Sequence, residues 1–147
     1  MVKLAFEKKV RVADVMTPAV ITVPPGISLS EAAALLAEAR ITGAPVVTPN
    51  GRLLGMLSRS DLVDPRHHRP EATVEDAMTH LLFAVRPSDP AMTAVRLMVV
   101  EGIHRVVVID EHGALVGIVT SMDILRSLLD EKEEGVAVEY TNVAQSR

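Results

Sequence analysis

Residues Val12 to Asp61 align with Val74 to Asp123 without a gap, at a constant offset of 62. Asp14-Val-Met16-Thr17 returns as Asp76-Ala-Met78-Thr79. Gly55-Met-Leu-Ser58-Arg-Ser-Asp61 returns as Gly117-Ile-Val-Thr120-Ser-Met-Asp123. A period of this length means one supersecondary unit built twice, so a site in one unit has a candidate twin in the other. A lone unit of about 60 residues is marginal by surface-to-volume scaling. The two halves are therefore expected to share one core, with neither stable alone.

Hydrophobic residues make up 48% of the 147-residue chain but aromatic residues only 2%, so Val, Leu, Ile, Ala and Met must build the core. Met16, Met56, Met78, Met92, Met98 and Met122 sit at apolar repeat positions and read as core filler. Few rings are left for stacking single-stranded bases, and a net charge of −4 opposes non-specific nucleic-acid binding. No direct nucleic-acid partner is expected. Cysteine is absent, which excludes disulfides and thiolate chemistry. No apolar run approaches the roughly 18 residues of a membrane span. Lys8, Lys9 and Arg11 interrupt any signal-peptide core in Met1 to Arg11. A cytoplasmic protein without membrane contact is the expectation.

Each repeat reads in the same order. A helical turn over Val12–Thr17 stops at Pro18, and a β-rich stretch follows over Ala19–Val23, matched by Leu81–Val85. Helices are expected over Leu29–Arg40 and Ala91–Gly102. The first opens on a capping box, Ser28-Leu-Ser-Glu31; the second opens on Asp89 as N-cap with Pro90 at the first helical position. The β-branched runs Ala44–Thr48 and Val106–Asp110 follow. They lead through Pro49-Asn50-Gly51 and Glu111-His112-Gly113 into Leu53–Leu57 and Leu115–Val119. Gly51 and Gly55 form a Gly-x-x-x-Gly string that reads here as turn glycines. A last helix starts near Ser58 or Thr120. The second copy carries Ile124, Leu125, Leu128 and Leu129 at helical spacing and ends in Glu131-Lys-Glu-Glu134; Pro65 cuts the first copy short. The expected division is repeat 1 over 8–64, a linker over 65–73, repeat 2 over 74–134 and a frayed tail over 135–147. The expected fold class is α/β, more narrowly α+β, with the order β-α-β-β-α run twice.

Two such repeats, each opening with Asp-Val-Met-Thr or its variant and closing with Gly-x-x-Ser/Thr-x-x-Asp, resemble a tandem pair of CBS (cystathionine β-synthase) domains, a Bateman module. Ile41-Thr-Gly43-Ala-Pro45-Val-Val47 and Ile103-His104-Arg105-Val-Val-Val108-Ile-Asp110 match the family's central strand, and the resemblance covers about residues 10 to 130. It implies two repeats packed as a pseudo-twofold pair with two clefts, and a regulatory sensor, not an enzyme. The implied ligand is an adenine nucleotide (AMP, ADP or ATP) or S-adenosylmethionine, with no cofactor required. The implied partners are a second copy in a homodimer and a regulated protein acted on in trans.

The resemblance also implies site residues. Asp61 and Asp123 would accept from ribose hydroxyls, with Ser58 and Thr120 near ribose or phosphate; a carboxylate can accept from two vicinal hydroxyls at once. The same Ser-x-x-Asp and Thr-x-x-Asp strings are also capping boxes that would simply start a helix, and both roles can hold together. Thr22-Val23 and Ala84-Val85 match the strand end lining the family's base pocket, with Ala44-Pro45 and Val106-Val107 flanking it; each also reads as ordinary buried strand. His104-Arg105 replaces Thr42-Gly43 of the first repeat, and an arginine fork suits phosphate oxygens, as would Arg59. The sequence assigns Arg105 to neither cleft. His67-His68 has no spaced third ligand and reads as surface linker, not metal site. No phosphate loop, dinucleotide fingerprint, zinc helix or nucleophile motif is present. The competing reading is a dimerisation module with vestigial clefts.

Overall fold

The computed structural model describes residues 10–80 and 83–129. Leu81, Leu82, the Glu131–Glu134 end of the last helix and the 135–147 tail lie outside the described residues.

The first repeat contains α1 (Val12–Val15), α2 (Leu29–Ala39), β1 (Gly43–Val47), β2 (Leu53–Ser58) and α3 (Arg59–Val63), followed by a 3₁₀ turn over Pro65–His67. The second contains α4 (Val74–Ala77), β3 (Ala84–Val85), α5 (Ala91–Glu101), β4 (Arg105–Ile109), β5 (Leu115–Thr120) and α6 (Ser121–Ser127). β1 and β2 form an antiparallel hairpin, and β4 and β5 form its twin. β3 adds to β4 in parallel, with Val85 opposite Val108. In the first repeat the expected strand over Ala19–Val23 shrinks to one parallel bridge, Val23 to Val46.

Local chemistry explains the boundaries. Ser28 Oγ accepts from Glu31 N at 3.1 Å, capping α2. The expected Asp89 cap does not form. Pro90 occupies the N-cap of α5, and Asp89 Oδ2 instead accepts from Arg86 N at 2.8 Å, closing the turn before the helix. Both long helices end on a left-handed residue, Gly102 (φ 64°) in α5 and Arg40 (φ 55°) in α2. The hairpin turns carry Gly51 (φ 87°) and Gly113 (φ 77°), where a side chain would be strained. Gly55 departs from expectation: it lies mid-strand in β2, buried, and marks a close approach and not a turn.

Two apolar clusters form in place of one shared core. One holds Leu36, Val46 and Leu57 with Val74, Ala77 and Met78. The other holds Val12 with Val85, Ala94, Val106, Val119 and Ile124, and Val15 and Met16 pack against it. The opening helix of each repeat therefore completes the core of the other. The backbone records the exchange symmetrically. Val12 N donates to Asp89 O (2.8 Å) as Val74 N donates to Ile27 O (3.0 Å). Thr17 and Ile118 exchange two hydrogen bonds, as Thr79 and Met56 do. Every partner is displaced by 62, so a pseudo-twofold axis relates the halves.

The carboxylates that tie the linker and α4 are set for neutral pH. Asp76 Oδ2 accepts from Thr73 N (2.9 Å) and Oγ1 (3.1 Å), holding its carboxyl below the ordinary value. Asp64, hydrogen-bonded by Arg66, is lowered to about 2. Groups lowered on folding stabilise fully above their unfolded pKa, and that contribution is lost as pH falls through the folded value. Melting temperature is therefore expected to be flat between about pH 5 and 7 and to fall below about pH 4. Asp76→Asn should flatten that acid limb in a pH series of thermal melts. An unchanged limb would remove Asp76 from the account.

Candidate functional site

The exchange of opening helices carries Thr17 and Thr79 across the axis, so each cleft is built by both repeats. The larger, about 520 Å³, brings Thr17, Ile21, Ile41 and Thr42 of the first repeat against Ile118, Thr120 and Asp123 of the second. The smaller, about 220 Å³, brings Met56, Ser58 and Asp61 against Thr79, Phe83 and Ile103. These residue sets correspond under the 62-residue offset, with His104 of the smaller cleft as the counterpart of Thr42.

At the head of α6, Asp123 Oδ2 accepts from Thr120 N (2.8 Å) and Thr120 Oγ1 (3.0 Å). At the head of α3, Asp61 Oδ2 accepts from Ser58 N (2.8 Å) and Ser58 Oγ (3.0 Å). The strand-to-helix junction thus fixes each carboxylate through one oxygen. Among the described residues Asp123 Oδ1 has only two long contacts at 3.5 Å, from Thr17 Oγ1 and Arg126 Nη1, and its side chain is 9% exposed. This oxygen keeps accepting capacity toward the larger cleft. Helix capping and ligand contact are compatible here because they use different oxygens.

Arg105 lines both clefts, as does His104. Its Nη2 donates to Thr42 Oγ1 at 2.5 Å. Gly43, its repeat counterpart, makes the room: a Cβ there would meet Arg105 Nη1, with Arg105 Cζ and Leu57 O each 2.8 Å away. Partial burial lowers the Arg105 pKa from its ordinary value. Among the described residues no carboxylate comes within ion-pair distance of it. A half-buried guanidinium without a counter-charge is a costly arrangement that an anion would relieve.

Of the expected residues, Ser58, Asp61, His104, Arg105, Thr120 and Asp123 line the clefts. Val23, Ala44, Pro45, Val85 and Val106 do not; all five are buried, four of them within the two apolar clusters. Thr22, Ala84 and Arg59 are exposed and also lie outside the clefts. On these segments the lining includes Ile21, Ile41, Thr42, Phe83 and Ile103, one to four residues earlier, while Val107 does line the smaller cleft. The identical pairs Thr17/Thr79 and Ile41/Ile103 were a visible signal, but their destination in the opposite cleft required the exchange. His67 is half-buried, with Nε2 3.8 Å from Asp64 Oδ2, and His68 is exposed.

Fold and site define a paired-repeat module with two pseudo-equivalent clefts at the repeat interface. The chain belongs to the CBS domain family, whose profile matches residues 12–67 and 70–130. Solved structures agree. The CBSX2 protein of Arabidopsis thaliana in complex with AMP is 32% identical, with a TM-score of 0.72, covering 80% of this chain and 95% of that one. The CBS domain pair of protein MJ0100, in complex with 5′-methylthioadenosine and S-adenosyl-L-methionine, is 31% identical (TM-score 0.73; 80% and 94% covered). The cytosolic domain of the Mg²⁺ channel MgtE in complex with ATP is 32% identical (TM-score 0.70; 82% and 50% covered). The chain spans between 15% and 45% of the length of the first curated relatives it matches. Among the described residues no helix is long and apolar enough to cross a membrane.

Proposed function

We propose that this protein is a regulatory module that binds adenosine-containing compounds in the Asp123 and Asp61 clefts and transmits their occupancy to a partner protein. The observation that carries the reading is the doubled carboxylate: each cleft presents an Asp fixed through one oxygen by its own helix cap. Ligands named in three similar structures, AMP, 5′-methylthioadenosine with S-adenosyl-L-methionine, and ATP, share the ribose that such an oxygen would accept from. The proposed role is regulatory and not catalytic, with no cofactor required. Arg105 offers phosphate recognition where the ligand carries one.

A ligand can shift the module between packings only by the difference in its affinity for them. Calorimetry with AMP and S-adenosylmethionine tests the reading. Losing hydrogen bonds to a charged group costs about 1.5–3 kcal/mol, so Asp123→Ala is expected to weaken binding in its cleft by roughly 10- to 150-fold. Asp123→Asn keeps a cap acceptor and separates binding from helix stability. Parent-like affinity in both Asp61 and Asp123 variants would remove these residues from the site.

The homodimer belongs to the same proposal. α6 exposes Met122 (52%) and Leu125 (55%), and Leu129 (71%) follows just beyond it, an apolar surface that a second copy would cover. That surface also favours the second reading, a dimerisation module with vestigial clefts. Concentration-dependent mass together with a flat calorimetric response to every adenosine compound would favour it over the sensor.

A further inference from the structure

The two clefts are equivalent in backbone but not in charge. Three arginines line the Asp123 cleft: Arg40, Arg105 and Arg126. Among the described residues only Arg105 lines the Asp61 cleft. The repeat counterparts explain the difference, for Gly102 stands where Arg40 does and Asp64 where Arg126 does. Among the described residues three arginines therefore line the cleft that holds Asp123, and a single shared arginine lines the cleft that holds Asp61. The shared one, Arg105, is committed by its hydrogen bond to Thr42, which lines the Asp123 cleft.

Arg40 adds a second, independent observation. It is the one non-glycine residue among those described with positive φ (55°), at the C-cap where the other repeat uses Gly102 (φ 64°). A left-handed arginine costs stability relative to glycine. Its side chain is exposed and makes no hydrogen bond among those described that would offset the cost. What the position does supply is an arginine in the lining of the Asp123 cleft.

We infer that the clefts take different chemical classes: the Asp123 cleft an adenosine compound bearing phosphate, and the Asp61 cleft an adenosine compound without phosphate, with Arg40 as the residue that separates them. The inference rests on the adenosine-binding reading above. It makes the module a two-input sensor, able to hold a nucleotide and an uncharged nucleoside at once.

Calorimetry with AMP and 5′-methylthioadenosine as probes decides it. One AMP per chain is expected to bind tightly, lost in Asp123→Asn and kept in Asp61→Asn. 5′-Methylthioadenosine is expected to titrate into AMP-saturated protein and to lose that binding in Asp61→Asn. Arg40→Gly, which suits the left-handed backbone, is expected to raise the melting temperature, weaken AMP about tenfold and leave 5′-methylthioadenosine unchanged. Arg126→Ala should weaken AMP in the same selective way. Mutual competition of the two probes for one cleft, or AMP affinity unaffected by Arg40→Gly, overturns the division of labour while leaving adenosine binding intact. Absence of binding by either probe overturns both.

Discussion

A fragment spanning residues 17–80 is expected to melt cooperatively, whereas one cut at the repeat's own boundaries, residues 12–67, is expected to be unfolded at room temperature. The two differ little in length but hold different contacts. Every residue of the Leu36–Leu57 cluster lies between Val23 and Met78, so the first fragment keeps that cluster whole. The second loses Val74, Ala77 and Met78 and retains Val12, whose buried cluster partners are all in the other half. Burying a Val or Met side chain contributes about 1.5–3 kcal/mol, so the missing helix costs about 4 kcal/mol. A domain of this size has only about 3–9 kcal/mol of total stability. Circular dichroism melts of the two fragments check this. A 12–67 fragment as stable as 17–80 would mean that the exchanged helices are passengers on their neighbours.

The second large effect is steric. Alanine at Gly55 is expected to destabilise the protein by about 3 kcal/mol, lowering its melting temperature by about 8–10 °C for a chain of this size. The backbone at Gly55 is not left-handed, so conformational freedom is not the cause. A Cβ there would fall 2.5 Å from Thr79 O and 2.9 Å from Met78 Sδ. The carbonyl cannot retreat without breaking the paired bonds between Thr79 and Met56 (2.9 and 3.0 Å), which seat the crossing segment. Gly117 is the built-in control. Its Cβ would meet the movable Met16 Sδ at 2.7 Å, but the Thr17 carbonyl only at 3.3 Å. Gly117→Ala is therefore expected to cost about 1–2 kcal/mol. Equal losses at the two positions in parallel denaturant titrations would show that side-chain give, and not backbone contact, sets the penalty.

These two results bear on function because the same crossing builds the clefts. Thr79 reaches the Asp61 cleft, and Thr17 the Asp123 cleft, only because α4 and α1 change sides. Weakening the crossing at Gly55 should loosen the Asp61 cleft before the Asp123 cleft.

Much of this molecule was legible along the chain because its signals are local. The 62-residue offset declared two equivalent units. Ser28 and Glu31, Ser58 and Asp61, and Thr120 and Asp123 declared helix starts within one turn, since a cap needs only residues three apart. Gly51 and Gly113 declared turns because their φ values exclude most side chains. The carboxylates of the candidate site were found through the same strings. The Asp89 departure is local as well, since its carboxylate accepts from Arg86 N, three residues back, and Pro90 takes the N-cap.

Other features depended on contacts far apart in sequence. Val23, Pro45 and Val106, matched to the strand ends around the base pocket, have buried side chains that leave the cleft lining to their neighbours, because alternation along a short strand does not say which neighbour covers which face. The exchange of α1 and α4, two clusters in place of one core, and Gly55 as a contact glycine all follow from crossing segments. Arg105 could not be assigned to a cleft until its guanidinium was found beside Gly43, facing both. Repeat, caps and turns are energies of a few consecutive residues and are written in composition and spacing. Which half covers which is decided by burial summed over both repeats, and that sum exists only once the chain has closed on itself.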